Sequence, residues 1–224
     1  MIDISKKPME VCPTAHYSMG GIVVDADSHQ TNINGLYAAG EVTSGLHGAN
    51  RLGGNSLAEI LVFGKRAGNH ASQYSKGIQK TVRNQDVIRE ASRSISNKIK
   101  SGTEVARPLQ RSLRDIMWTY CGVVRDANRL ETGLSELYKL ENKLEHIDVR
   151  PDSEGYFDLM HALDLHSSII SAKSTILAAQ ARKESRGAHQ RYDFKNTDNK
   201  HNVSYQVHMN SKDELIIKAE SLKK

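Results

Sequence analysis

Five glycines stand between residues 40 and 54 (Gly40, Gly45, Gly48, Gly53 and Gly54). Glycine weakens a helix or strand interior by about 0.5–1 kcal/mol relative to alanine, and it alone adopts left-handed backbone freely. The stretch therefore has to be a loop whose backbone other groups can approach closely. Ten of the 16 glycines precede residue 70, so the chain divides into two unlike parts.

The first part alternates short apolar runs with turn residues. Residues 21–25 predict a short strand, residues 27–31 a turn, and residues 36–41 a buried strand ending in a tight turn at Gly40. The loop 42–54 follows. A helix is expected from about Asn55-Ser56, with Leu57, Ile60, Leu61 and Gly64 on one face and Glu59, Lys65 and Arg66 on another.

Ser75-Lys76-Gly77 is a linker candidate, and beyond it the pattern becomes helical. Helices are predicted over 87–100, 109–124, 131–145 and 157–183, with Pro108 at a helix start and Pro151 and Gly155 separating the last two. Leu113, Ile116, Met117, Tyr120 and Val124 recur at helical spacing, and Trp118 is the expected anchor of a small bundle. Gly187 is read as the C-cap of the fourth helix. Residues 192–199 are polar and loop-like, residues 203–209 alternate as a strand, and 214–217 is a candidate partner strand.

Composition excludes several function classes. The net charge is +5 and the pI near 9.1, but Lys and Arg are scattered among acids, with no basic block interleaved with aromatics. That argues against nucleic-acid binding. Cys12 and Cys121 have neither metal nor disulfide spacing and are read as reduced thiols of a cytoplasmic protein. No signal peptide is expected from this sequence, and no apolar run in it is long enough to span a bilayer. A Gly-x-Gly-x-x-Gly turn after a strand, a Walker-type loop and a Cys-x-x-Cys pair are all absent.

Chemistry concentrates in the glycine-rich part. Ser56 and Leu57 open a helix, and helix-opening N–H groups lack internal partners and favour negative charge. A reduced flavin gathers such charge at one ring edge; an ordinary capped helix is the alternative. Arg51, five residues earlier, offers a planar fork for carboxylates, although a lone loop arginine is more often only surface. His16 is a donor for the same anion or a structural residue, and His47 ranks behind it. Glu41 ends the predicted strand at a glycine turn, where a carboxylate can accept bonds from a sugar or polyol. Late in the chain, Arg186 and His189 either reach back toward this site or simply stop a helix.

Three stretches carry a family resemblance: residues 13–21 (Pro13 through His16 and Tyr17 to Gly21), residues 31–41 (Thr31 to Glu41), and residues 47–59 (His47 through Arg51, Ser56 and Leu57 to Glu59). They resemble the succinate dehydrogenase/fumarate reductase flavoprotein subunit, whose superfamily includes L-aspartate oxidase. The likeness is specific to about residue 70 and looser through the bundle and residues 184–189. It implies an α+β chain. Residues 1–75 would be the C-terminal part of an FAD-binding α/β domain, 76–190 a helical bundle domain, and 191–224 a C-terminal loop with short strands.

By position, the resemblance makes His16 and Arg51 substrate-carboxylate ligands, Glu41 an FAD contact, and Ser56 and Leu57 backbone contacts to the isoalloxazine edge. It implies no metal site. The implied activity is FAD-dependent hydride transfer with a C4 dicarboxylate, fumarate or succinate. The implied partners are the N-terminal flavoprotein portion and an iron–sulfur subunit, with membrane association only through partner subunits. The proton-donating arginine of the family belongs to a capping domain and has no counterpart assigned in this chain. An L-aspartate oxidase fragment and a non-catalytic subunit-docking module are the other readings. The chain is read as an expressed fragment, a truncated gene product or one half of a split flavoprotein, inactive alone. Titrating the purified chain with FAD is expected to show weak binding or none; a stoichiometric flavin complex would overturn this.

Overall fold

The computed structural model describes residues 3–10, 16–79, 83–150 and 156–222. Cys12, Pro13, Thr14, Pro151 and Gly155 lie outside them. The chain forms two compact units, one ending at Ile78 and the other beginning at Gln79.

In the first unit the two predicted strands reduce to single bridges, Ile22 with Thr43 in parallel and Gln30 with Tyr37 antiparallel. The reason is local. A tight turn returns Asp25 N–H to the carbonyl of Gln30, and the chain reverses again between Thr31 and Leu36. Gly40, at φ +88°, then ends the extension before a second rung can form. Gly21 is required by close approach, because a Cβ there would sit 2.2 Å from the Val42 carbonyl oxygen. Helix α1 (Asn55–Lys76) follows, and Gly77 is its C-cap, so the candidate linker is a helix end. His29 packs its tilted ring on Phe63 and Tyr37 meets Tyr74 edge to face, which fastens the loops to α1.

The face assignment of α1 is corrected. Its buried residues are Glu59 and Ala67, whereas Leu57 is 68% and Leu61 73% exposed. A carboxylate tolerates burial when donors meet it, and two do so here (below).

The second unit is built from α2 (Gln85–Ser96), α3 (Ala106–Cys121), β1 (Val124–Arg125), α4 (Ala127–Glu141), α5 (Phe157–Ala181), β2 (Gln190–Arg191), β3 (Val203–Met209) and β4 (Leu215–Ser221). Asn84 caps α2 by accepting from the Asp86 and Val87 amides, and Asp126 caps α4 by accepting from the Arg129 amide. The core is a three-helix seam. Leu109 and Leu113 of α3 meet Leu130, Leu137 and Leu140 of α4. From α5, Leu165, Ile169, Ala172, Ile176 and Ala179 complete the cluster at the 3–4-residue spacing of one helical face. A Cβ on Gly133 would lie 2.7 Å from the Tyr120 Cβ, so glycine sets how closely α3 and α4 cross.

Two further expectations are corrected. Trp118 is 59% exposed and anchors nothing, since it faces away from the seam that Leu109, Leu113 and Cys121 define. Helix α5 ends at Ala181, with Arg182 in an extended conformation. Gly187, at φ +57°, instead turns the chain between Arg186 and His189. The strand 203–209 forms as expected and pairs antiparallel with β4, from Val203 opposite Ser221 to Met209 opposite Leu215. Among the described residues no helix is long and apolar enough to cross a membrane, and no cluster of potential metal ligands occurs.

Leu137→Ala is expected to destabilise the second unit by about 2–5 kcal/mol, as a cavity left in a close-packed seam does. Trp118→Ala should stay within about 0.5 kcal/mol of wild type. Denaturant midpoints followed by far-ultraviolet circular dichroism check both.

Candidate functional site

The glycine loop delivers α1 with its first turn open. Gly54 occupies the N-cap in the left-handed conformation (φ +85°), and no side chain caps the helix. A glycine N-cap leaves the helix-opening donors to an outside acceptor. Space is open as well: a Cβ on Gly45, Gly48, Gly53 or Gly54 would meet nothing within 4 Å. Ser56 is half-buried and Leu57 exposed at this opening.

Arg51 is held on two sides. Its guanidinium lies over the Tyr17 ring, 4.5 Å from the centroid, and Nη1 donates to the Leu52 carbonyl at 3.2 Å. Its Nε is buried and finds no acceptor among the described residues. A buried unpartnered N–H costs about 1–3 kcal/mol, which an anion placed against it would recover.

Tyr17 is fixed in turn. Its hydroxyl donates to Oε2 of Glu59, and His47 Nε2–H donates to the same oxygen at 2.8 Å. The Tyr17 and His47 rings meet edge to face at 5.4 Å. Glu59 is only 4% exposed. Burial alone would raise its carboxyl, but the bonds from Tyr17 and His47 outweigh that and hold it below the ordinary range. The bond to Glu59 pushes the Tyr17 phenol up to about 12. Glu59 follows Ser56 by three residues on α1, so this chain of contacts brings Arg51 to the helix's opening turn.

The other predicted residues border that cluster, Glu41 close enough for its charge to act on Tyr17. Glu41 is exposed and accepts from the Ser18 amide at 2.9 Å. His16 is exposed, immediately before Tyr17. Reasoning from the sequence misses Tyr17 and Glu59 as interacting residues. An acid on a helix ordinarily reads as solvated, and its partners lie 42 and 12 residues away. The adjacency of Tyr17 to His16 is the one available hint.

Arg186 and His189 are occupied within the second unit. Glu184, fully buried, accepts from Arg182 Nη1 at 2.7 Å, from Arg186 Nε at 2.8 Å and Nη2 at 3.0 Å, and from the Asp198 amide at 2.8 Å. Burial would raise this carboxyl, yet those donors bring it down to about 2. Arg191 pairs through Nε and Nη2 with both oxygens of Asp193 at 2.7 Å and donates from Nη1 to the Ala179 carbonyl near the end of α5. His189 accepts from Arg125 at Nδ1 and donates from Nε2 to the Arg182 carbonyl, each at 3.0 Å. Burial first, and then the charges of Arg125, Arg191 and Arg182, lower its pKa to about 4.

Residues 110–223, just over half the chain, match the family of the fumarate reductase flavoprotein C-terminus, and residues 2–57 match an FAD binding domain. The chain belongs to the fumarate reductase flavoprotein family. It is 40% identical to a fumarate reductase (CoM/CoB) polypeptide of Methanothermobacter marburgensis, over 88% of this chain and 36% of that protein. It is 35% identical to the chloroplastic L-aspartate oxidase of Arabidopsis thaliana, over 86% of this chain and 30% of that one. A variant of the quinol fumarate reductase of Escherichia coli superposes with a TM-score of 0.90 at 31% identity, covering 99% of this chain and 39% of that structure. The flavoprotein chain thus spans about a third of the length of these relatives.

The His189 geometry carries a pH consequence. A folded pKa of about 4 against 6.5 unfolded means that the unfolded chain binds more protons in between. Stability from this group is therefore complete above about pH 6.5 and is lost as pH falls toward 4. Unfolding free energies measured from pH 7 to 4.5 should decline in the wild type, with a shallower slope in His189→Gln.

Proposed function

We propose that this chain supplies the substrate-carboxylate and flavin-edge contacts of an FAD-dependent flavoprotein that interconverts fumarate and succinate. The observation that carries the reading is the buried, unpartnered Nε of Arg51, three residues before the open N-cap of an uncapped helix. A cation with a spare buried donor and a helix opening with free N–H groups are what a diacid and an anionic ring edge require.

The residues fit FAD on their own geometry. The open faces at Gly53 and Gly54 leave room for a planar ring against the backbone, and the match of residues 2–57 to an FAD binding domain supports the same ligand. Bound there, FAD supplies the hydride chemistry. Ser56 and Leu57 would offer their amides to the edge of a bound ring, where the partial positive charge at the start of α1 would favour negative charge. Glu41 presents an exposed carboxylate to polyol hydroxyls while it fixes the Ser18 amide. Arg51 grips one carboxylate of the diacid and draws electron density toward it, and His16 donates to the same substrate. An electron-carrying iron–sulfur partner belongs to the same proposal, as does the remainder of the flavoprotein.

L-Aspartate oxidation is the second reading, favoured by the 35% identity to the Arabidopsis thaliana enzyme. Turnover by the assembled flavoenzyme decides between them. Fumarate reduction is expected, with Arg51→Lys slowing it about a hundredfold or more because the two-pronged grip is lost. Unchanged kinetics in Arg51→Lys would remove Arg51 from the site, and turnover of L-aspartate in place of fumarate would favour the oxidase.

A further inference from the structure

Glu59 has no part in the chemistry just proposed, yet it is the one buried acid among the described residues of the first unit. One oxygen, Oε2, takes both the Tyr17 hydroxyl and His47 Nε2–H. The Tyr17 ring, held at its hydroxyl by Glu59 and at its edge by His47, is the surface on which the Arg51 guanidinium lies. We propose that Glu59 and Tyr17 are positioning residues for Arg51: the carboxylate locks the phenol, and the phenol ring fixes the plane in which the guanidinium meets a dicarboxylate.

The inference rests on the reading of Arg51 as the residue that grips the substrate. An arginine side chain is long and rotamer-rich, and a loop with this much glycine does little to hold it. Here the Leu52 carbonyl takes one donor and the ring takes one face. What is left to face a ligand is the edge that carries the unpartnered Nε. A phenol that donates to a carboxylate also has a more electron-rich ring, which strengthens its hold on a cation.

Electrostatics and positioning make opposite predictions for Glu59. If its negative charge acted on the substrate directly, removing the charge would tighten dianion binding. If it acts through Tyr17, removing the charge loosens the ring and weakens binding.

The test is a mutant cycle on the assembled flavoenzyme, read as KM and kcat for fumarate. Glu59→Gln and Tyr17→Leu are each expected to raise KM about tenfold. In an Arg51→Lys background Tyr17→Leu should add little, because the group it positions is already gone. Additive effects, or a KM that falls in Glu59→Gln, would overturn the proposal while leaving Arg51 in its role. An Arg51→Lys enzyme with wild-type KM would instead sink the functional reading itself. A spectroscopic arm needs only the chain. At pH 10.5 Tyr17 should remain un-ionised in the wild type, consistent with a phenol pushed up to about 12, and should ionise in Glu59→Gln. The readout is the 295 nm difference against Tyr17→Phe, and an unchanged signal would break the Glu59–Tyr17 link. Should Glu59→Gln fail to fold by circular dichroism, the Tyr17→Leu cycle decides alone.

Discussion

A carboxylate taken out of water must be met by donors, and in this chain that requirement does most of the organising. The penalty for an unpaired buried charge is several kcal/mol, enough to unfold a marginal domain. Glu59 sits at the head of α1 with almost no access to solvent. Its two donors come from separate stretches of the chain, Tyr17 ahead of the glycine loop and His47 within it. The loop starts at the Ile22–Thr43 bridge and has few backbone bonds beyond it, so Glu59, through His47, ties its middle to α1. Arg51 follows from the placement of Tyr17.

The second unit solves the same problem at Glu184. There the donors are two arginines and a backbone amide, and they knit the end of α5 to the segment that leads into the hairpin. Arg182 continues the connection by donating to the carbonyls of His201 and Val203, at the start of β3. Apolar packing supplies the bulk of stability in the three-helix seam, and the buried charges select one arrangement of the chain that leaves it.

What the sequence disclosed follows from range. The spacing along α5 and the alternation over 203–209 are local patterns, and both elements form where those patterns place them. Helices α3 and α4 begin and end a few residues earlier than expected; at the start of α4 the Asp126 cap outranks apolar periodicity. Trp118 and Glu59 mislead for one shared reason. Hydropathy assigns a tryptophan inward and a glutamate outward, yet Trp118 lies off the buried face of α3 and Glu59 is drawn in by partners brought from elsewhere in the chain. The predicted strands at 21–25 and 36–41 shrink to single bridges because the turns between Asp25 and Gln30, between Thr31 and Leu36, and at Gly40 cut each extension short. In the candidate site Arg51 is legible as a cation among glycines, whereas the Tyr17 ring beneath it is not.

Arg191 and Asp193 join two helices of opposite polarity. The arginine sits on the carbonyl end of α5, and the aspartate accepts from the Ala127 amide that opens α4. Both residues come long after α4 has ended, beyond the whole of α5. A chain leaving the ribosome therefore holds α4 and α5 before it owns the clasp that joins them, and the bundle can only latch once this late segment has emerged and folded back.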